Sequence, residues 1–214
     1  MLPIAPVGLV YAPAKIFVGG DPAATADNVR HFGGLLHAAM ACDLAHQLIC
    51  VFLIIALYKL FRPVNEFLAK QVVIFGALLS VPIMFINVLN DVAAEFLANQ
   101  PLYQNAFDTD QINALIYLFM QLHGQGIVVA SIFWGIWLIP FGMLVIRCGF
   151  IPKIFGYLLF LAGAGYIVNS FTSLVLPEYA SIVSPIAGAT NIAEVPIIFW
   201  LAFWGARTNS KVPA

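Results

Sequence analysis

Five times along this chain the side chains stay apolar for about the 20 residues that an α-helix needs to cross the hydrocarbon core of a bilayer. The runs fall at about 34–61, 71–90, 123–146, 154–176 and 182–204. Composition agrees: 62% of the residues are hydrophobic and 9% are charged, where soluble domains hold roughly 45–50% and about 25%. The sequence therefore reads as an integral membrane protein of the all-α class. It is a polytopic transmembrane helix bundle with five clear spans, a single transmembrane domain over residues 1–214 with the bundle at 34–206. A net charge of −1 and the lack of a basic cluster exclude the electrostatic footprint of nucleic-acid binding.

Residues 1–20, "MLPIAPVGLVYAPAKIFVGG", are apolar as well, but Pro3, Pro6, Pro13 and Lys15 interrupt them. They also lack the basic start and cleavage site of a signal peptide. Two placements fit, a short or broken first helix and an interfacial segment. Residues 21–33 then read as an outer surface helix, with Asp21 as N-cap and Pro22 in the first helical position, where a missing N–H is harmless. Cys42, Cys50 and Cys148 are odd in number, show no CxxC spacing and sit in or beside apolar runs. They read as small buried hydrophobes rather than disulfide partners or metal ligands.

Orientation follows from the basic residues, which collect in cytoplasmic loops. Lys59, Arg62 and Lys70 flank the first connection, Arg147 and Lys153 the third, and Arg207 and Lys211 the tail at 207–214. The second connection holds Asp91, Glu95, Asp108 and Asp110 with no lysine or arginine, and the fourth holds only Glu178. Seven of the nine basic residues thus obey one alternating topology. It predicts a multi-pass cell-membrane protein with a cytoplasmic C-terminus and the Asp21 helix outside.

Counting about 1.5 Å per residue from the cytoplasmic ends, Asp43, His46, Asn87, Asn169, Asn191 and Glu194 all fall roughly 20–25 Å up their helices. Four spans deliver polar groups to one layer. His123 and Gln125, in "LHGQG", lie nearer the outer interface, as does His37. The cytoplasmic halves are almost free of polar side chains, so the pattern predicts an outer-leaflet pocket with a dry floor rather than a pore. Trp134, Trp137, Trp200 and Trp204 fall in those dry halves and read as packing and interface anchors.

Asparagines in membrane helices commonly serve as interhelical glue, at about 0.6 kcal/mol each. A carboxylate at such depth is another matter, because it costs about 2.5–3.5 kcal/mol on the insertion scale and needs a partner. Asp43 and His46, three residues apart, share a helix face, and the expectation is that they point inward to meet Glu194. Asn87, Asn169, Asn191, His123 and Gln125 complete the candidate binding set. His31, beside Arg30, reads as a solvated surface residue.

Three functional classes fit this layer. The first, which the pattern favours, is a binding or sensing protein that grips the head of a small amphiphile such as a lipid, quinone or isoprenoid. The second is an intramembrane enzyme using a metal held by Asp43, His46 and Glu194, or a buried acid; no HExxH or GxSxG motif supports it. The third is an accessory subunit, partnered by another membrane protein or a second copy. No cofactor is singled out.

The stretches "GGDPAATADN", "LYKLFRPVNEFLA", "LHGQG" and "IRCGFIPKIFGYLLFLAGAGYIVNSF" resemble the bacterial membrane family catalogued as domain of unknown function 4386. The resemblance covers most of the chain and supports the multi-helix topology. It implies a complete helix before the GD-AAT segment, where this chain has a proline-broken one, as a truncated start would give. It also implies an aspartate on the first long helix and a glutamate on the last, which correspond here to Asp43 and Glu194. It implies no activity.

Overall fold

Some prolines of this chain coincide with departures from regular helix geometry, while Pro140 and Pro185 lie inside regular helix. The computed structural model describes residues 6–205, so Pro3 and the tail with Arg207 and Lys211 lie outside the described residues. The helices are α1 (Val7–Ile16), α2 (Pro22–His31), α3 (Gly33–Phe61), α4 (Glu66–Asn99), α5 (Pro101–Ala106), α6 (Thr109–Cys148), α7 (Lys153–Val175) and α8 (Pro177–Phe203). No strand occurs among the described residues. The helices α3, α4, α6, α7 and α8 are each long and apolar enough to span a membrane. This is an all-α membrane protein with five spans.

A proline has no N–H for the carbonyl four residues back and its ring presses on that carbonyl. Three prolines show the consequence. Pro13 follows the wide π-turn Val7–Tyr11, which contains Leu9. Pro82 follows the π-turn Ile74–Leu79, which contains Leu78. Pro196 follows the tight 3₁₀ turn Ile192–Glu194, which begins at the carbonyl it would clash with. In each case the irregular turn removes the forbidden bond without ending the helix.

The helix starts are capped by side chains. Asp21 Oδ1 accepts from the Ala24 N–H at 2.9 Å with Pro22 next to it, as the sequence predicts. Asn65 Oδ1 does the same for Leu68 N–H at 2.9 Å. Asp108 and Gln111 form a reciprocal capping box, Gln111 N–H donating to Asp108 Oδ1 at 2.8 Å and Asp108 N–H to Gln111 Oε1 at 3.2 Å. Gly149, at φ 74°, supplies the left-handed residue that ends α6.

The structure corrects four expected boundaries. The second span starts at Glu66, not 71, and runs past 90 to Asn99; the third starts at Thr109, not 123; the fifth starts at Pro177, not 182. Hydropathy stops at the first polar residue, whereas the backbone ladder continues wherever a cap and a buried face support it. The segment expected to be broken or interfacial is the short helix α1, with Ala12 and Ile16 almost fully buried. Likewise α2 is exposed on one side only, since Thr25, Ala26 and Val29 are buried.

The chain divides into two compact units. One takes residues up to 52 with Val81–Ile127, the other Leu53–Ser80 with residues from 128 onward. The first has its own core, in which Ile16 of α1, Val29 of α2, Leu36 of α3, Ala94 of α4 and Ile116 of α6 pack together. The core of the second centres on Phe61, Phe141, Leu144, Val145 and Leu159. Glycines allow its α6 and α7 to touch by backbone: a Cβ on Gly135 would lie 2.6 Å from the Gly163 carbonyl oxygen, and one on Gly142 2.8 Å from that of Gly156. Small residues at such crossings are how helices associate in lipid.

Candidate functional site

Helical spacing sets the polar face of the first unit. Asp43 and Gln47 on α3 are four residues apart, as are Asn87 and Asp91 on α4, so each pair shares a stripe. All four are buried, together with His123 of α6. Asp91 Oδ2 lies 3.0 Å from His123 Nδ1 with both side chains nearly closed off. The carboxylate sits off the line of the N–H, so the contact has no aligned hydrogen bond and is an ion pair when the imidazole is protonated. Asn87 positions the histidine backbone: its Nδ2 donates to the His123 carbonyl at 2.9 Å, and its Oδ1 accepts from Asn90 Nδ2 at 3.0 Å. Gly126, one turn on from His123, leaves the space the Asn87 amide occupies, since any Cβ there would collide with it.

Asp43 is the group without a mate. It is 3% exposed and makes no hydrogen bond or ion pair among the described residues. Its carboxylate abuts Gly8 of α1, where a Cβ would overlap it. Asp43, Asp91 and His123 line one cavity with Leu36, Ala39 and Met120, and α1 supplies Gly8, Ala12, Pro13 and Ile16 to its wall. The cavity measures about 10 Å³, room for about one water.

In the second unit Tyr166 Oη donates to Glu194 Oε1 at 2.8 Å, joining α7 to the 3₁₀ turn of α8. The Tyr166 ring meets Trp134 edge-on at 6.2 Å. Asn169 Oδ1 and Asn191 Oδ1 are buried in this unit without hydrogen-bond partners among the described residues.

A model of the family described as a domain of unknown function, DUF4386, matches residues 3–205, nearly the whole chain. The chain belongs to the DUF4386 family. Over 81 residues it is also 35% identical to an uncharacterized protein of Archaeoglobus fulgidus, a match that takes in 38% of this chain and 47% of that relative. The chain thus covers about half the length of that relative. No solved structure matches. Neither description names an activity, so the chemistry of this DUF4386 protein has to be read from its own side chains.

Of the residues that the sequence nominates, the structure brings Asp43, Asn87 and His123 into the first unit's buried face. His46 is only half-buried, with Nδ1 3.3 Å from Gln47 Nε2 and its ring about van der Waals distance from Cys50 Sγ, at 3.8 Å. Gln125 is exposed. His37 is also exposed, 3.9 Å from Glu95. Asn169, Asn191 and Glu194 belong to the second unit, and the partner of Glu194 is Tyr166. Among the described residues no three His, Cys, Asp or Glu side chains are grouped to hold a metal ion.

Asp91 is the residue the sequence reading misplaces. It was assigned to an outward-facing connection and is instead buried in α4 against His123. Its i, i+4 relation to Asn87 within "NVLND" is the signal that points to it.

Proposed function

We propose that this DUF4386 protein is an intramembrane binding protein whose polar site is Asp43, Asp91 and His123. Its ligand is a small amphiphile, of the lipid, quinone or isoprenoid kind, held by its polar head. The observation that supports this reading is the buried Asp43 carboxylate, which faces the cavity beside an already formed ion pair. Asp91, His123 and Asn87 already tie α4 to α6 without Asp43. A further carboxylate there stays unmated at a cost of about 2.5–3.5 kcal/mol or more, which a polar head donating to it would offset.

With room for about one water, the site is closed to such a head while α1 stays in place. The short α1 is the wall best suited to move. Withdrawing Ala12 and Ile16 into lipid loses packing but little hydrophobic energy, because acyl tails are as apolar as the core. Three contacts hold its far end: Phe17 stacks on Tyr117 at 5.0 Å, Gly20 N–H donates to Tyr117 Oη at 2.9 Å, and Asn28 Nδ2 donates to the Ile16 carbonyl at 3.2 Å. Gly20, at φ 79°, gives the segment between α1 and α2 a natural hinge.

The test is native mass spectrometry of the full-length protein purified in mild detergent. The reading expects a co-purifying small amphiphile, absent from Asp43→Asn protein that folds normally. A wild-type chain with nothing bound, or a variant that keeps every species the wild type keeps, would sink it.

A further inference from the structure

A second site presents itself on the other unit, independent of the Asp43 cluster. The exposed sides of α3 and α4 next to their connection form a groove of about 310 Å³, lined by Ile55, Tyr58, Lys70, Val73 and Ile74. That is at the lower end of the roughly 300–1,000 Å³ of small-molecule sites. On its inner side the two helices are in contact, a Cβ at Gly76 falling 2.9 Å from Ile54. On its outer side Ile55 and Ile74 are 42% and 43% exposed, facing what in a spanning helix is hydrocarbon.

The lining of the groove changes along the helices. Ile55, Val73 and Ile74 make an apolar channel about two turns from the connection, and Tyr58 and Lys70, about one turn from it, line the wholly apolar groove with ring and methylene stem only. Lysine and tyrosine commonly bury their stems and rings in this way and hold the polar tip at the interface. The charge there is unbalanced. Glu66 Oε1 is shared by Lys70 Nζ at 3.1 Å and Arg62 Nε at 3.7 Å, while Lys59 has no ion pair among the described residues. Beside the groove two cations thus share one carboxylate, and Lys59 is not part of its lining. The Tyr58 hydroxyl has no hydrogen bond among the described residues.

We infer that this groove holds one anionic phospholipid. One acyl chain lies along Ile55, Val73 and Ile74, and a phosphate oxygen meets the Lys70 ammonium and accepts from Tyr58 Oη. A zwitterionic lipid offers the same chain without net charge, so a basic residue at the surface should favour the anionic one by about fivefold. A soluble anion would use Lys70 and leave the channel idle.

The test titrates the full-length protein with phosphatidylglycerol and phosphatidylcholine of identical acyl chains, counting bound lipid by native mass spectrometry. The expected result is one retained phosphatidylglycerol per chain with about fivefold preference. Lys70→Gln should erase the preference, Ile74→Trp should lower retention of both lipids, and Lys59→Gln should leave the preference in place. Lys70 is exposed, so its variant folds even if Ile74→Trp does not. Equal retention of the two lipids by the wild type, a preference that survives Lys70→Gln, or one lost equally in Lys59→Gln would overturn the inference. Displacement of phosphatidylglycerol by millimolar inorganic phosphate would do the same, by showing a site for a soluble anion.

Discussion

Asp91→Ala removes one member of a buried ion pair and leaves His123 facing an unfilled, low-dielectric space. At 3.0 Å, with side chains 4% and 6% exposed, the pair falls in the class whose disruption from one side costs about 3–5 kcal/mol. His123→Ala should cost a similar amount. Removing both partners leaves neither of the two uncompensated, though Asp43 stays in the cavity, so the double variant should be destabilised by less than the sum, with a coupling above about 1 kcal/mol. Stability is measured by reversible unfolding of detergent-solubilised protein with increasing SDS, followed by tryptophan fluorescence. All four tryptophans lie outside the first unit's residues, so a parallel reporter on Met120 is needed to follow the pair's own surroundings. Strictly additive single costs, or a loss below about 0.5 kcal/mol for Asp91→Ala, would show that the two groups do not act as a pair.

Other changes follow from the same geometry. Gly126→Ala drives a methyl group into the Asn87 amide and should cost about 1–3 kcal/mol, as overpacking does; Asn87→Ala in that background should recover part of the loss in the same SDS titration. Tyr166→Phe deletes the 2.8 Å bond to Glu194 and should cost about 1.5–3 kcal/mol if the carboxylate is ionised. Glu194→Gln, whose amide oxygen still accepts, should cost less, and equal costs would contradict that role for the tyrosine. For topology, a thiol at Pro63 should label from the cytoplasm and one at Asn105 from outside in a cysteine-free chain. Pro63 is used rather than its neighbour Asn65 because the Asn65 side chain caps α4. Labelling of both from one face would overturn the charge-based orientation.

The five spans were legible because a long apolar run has few alternatives in a chain this poor in charge. Their ends were not, and the reason is physical. Residues 91–99 and 109–122 are helical because Asp108 and Gln111 cap one start and because Ala94, Leu97 and Ile116 are buried, and neither cause raises mean hydropathy. That Asp43, Asn87 and His123 are candidate polar groups could be read from the sequence, but counting helical rise set His123 above Asp43, whereas the two line one cavity. Their true companion Asp91 could not be read there, because it sits where the polar residues of a surface loop were expected and its partner is on another helix. His46 shows the reverse error. Three residues from Asp43, it lies close enough to share a face on paper, yet Gln47, at four, is the one that turns inward with it. A cavity walled in part by α1 was not foreseeable either, since it depends on Gly8 meeting a side chain on α3.

The most direct test of the account is whether that cavity opens. Met120, a wall of the cavity that is 7% exposed, is replaced by cysteine in a chain whose Cys42, Cys50 and Cys148 have been changed to alanine, and its reaction with a small maleimide is followed in native detergent solution. If α1 admits a head group, Cys at position 120 should label at a measurable rate. Tyr117→Phe, which releases the Gly20 contact, should speed the reaction, and adding back the amphiphile that co-purifies with the wild type should slow it. No labelling short of denaturation, in both Met120→Cys and its Tyr117→Phe derivative, would show that Asp43, Asp91 and His123 are permanently sealed and bind nothing.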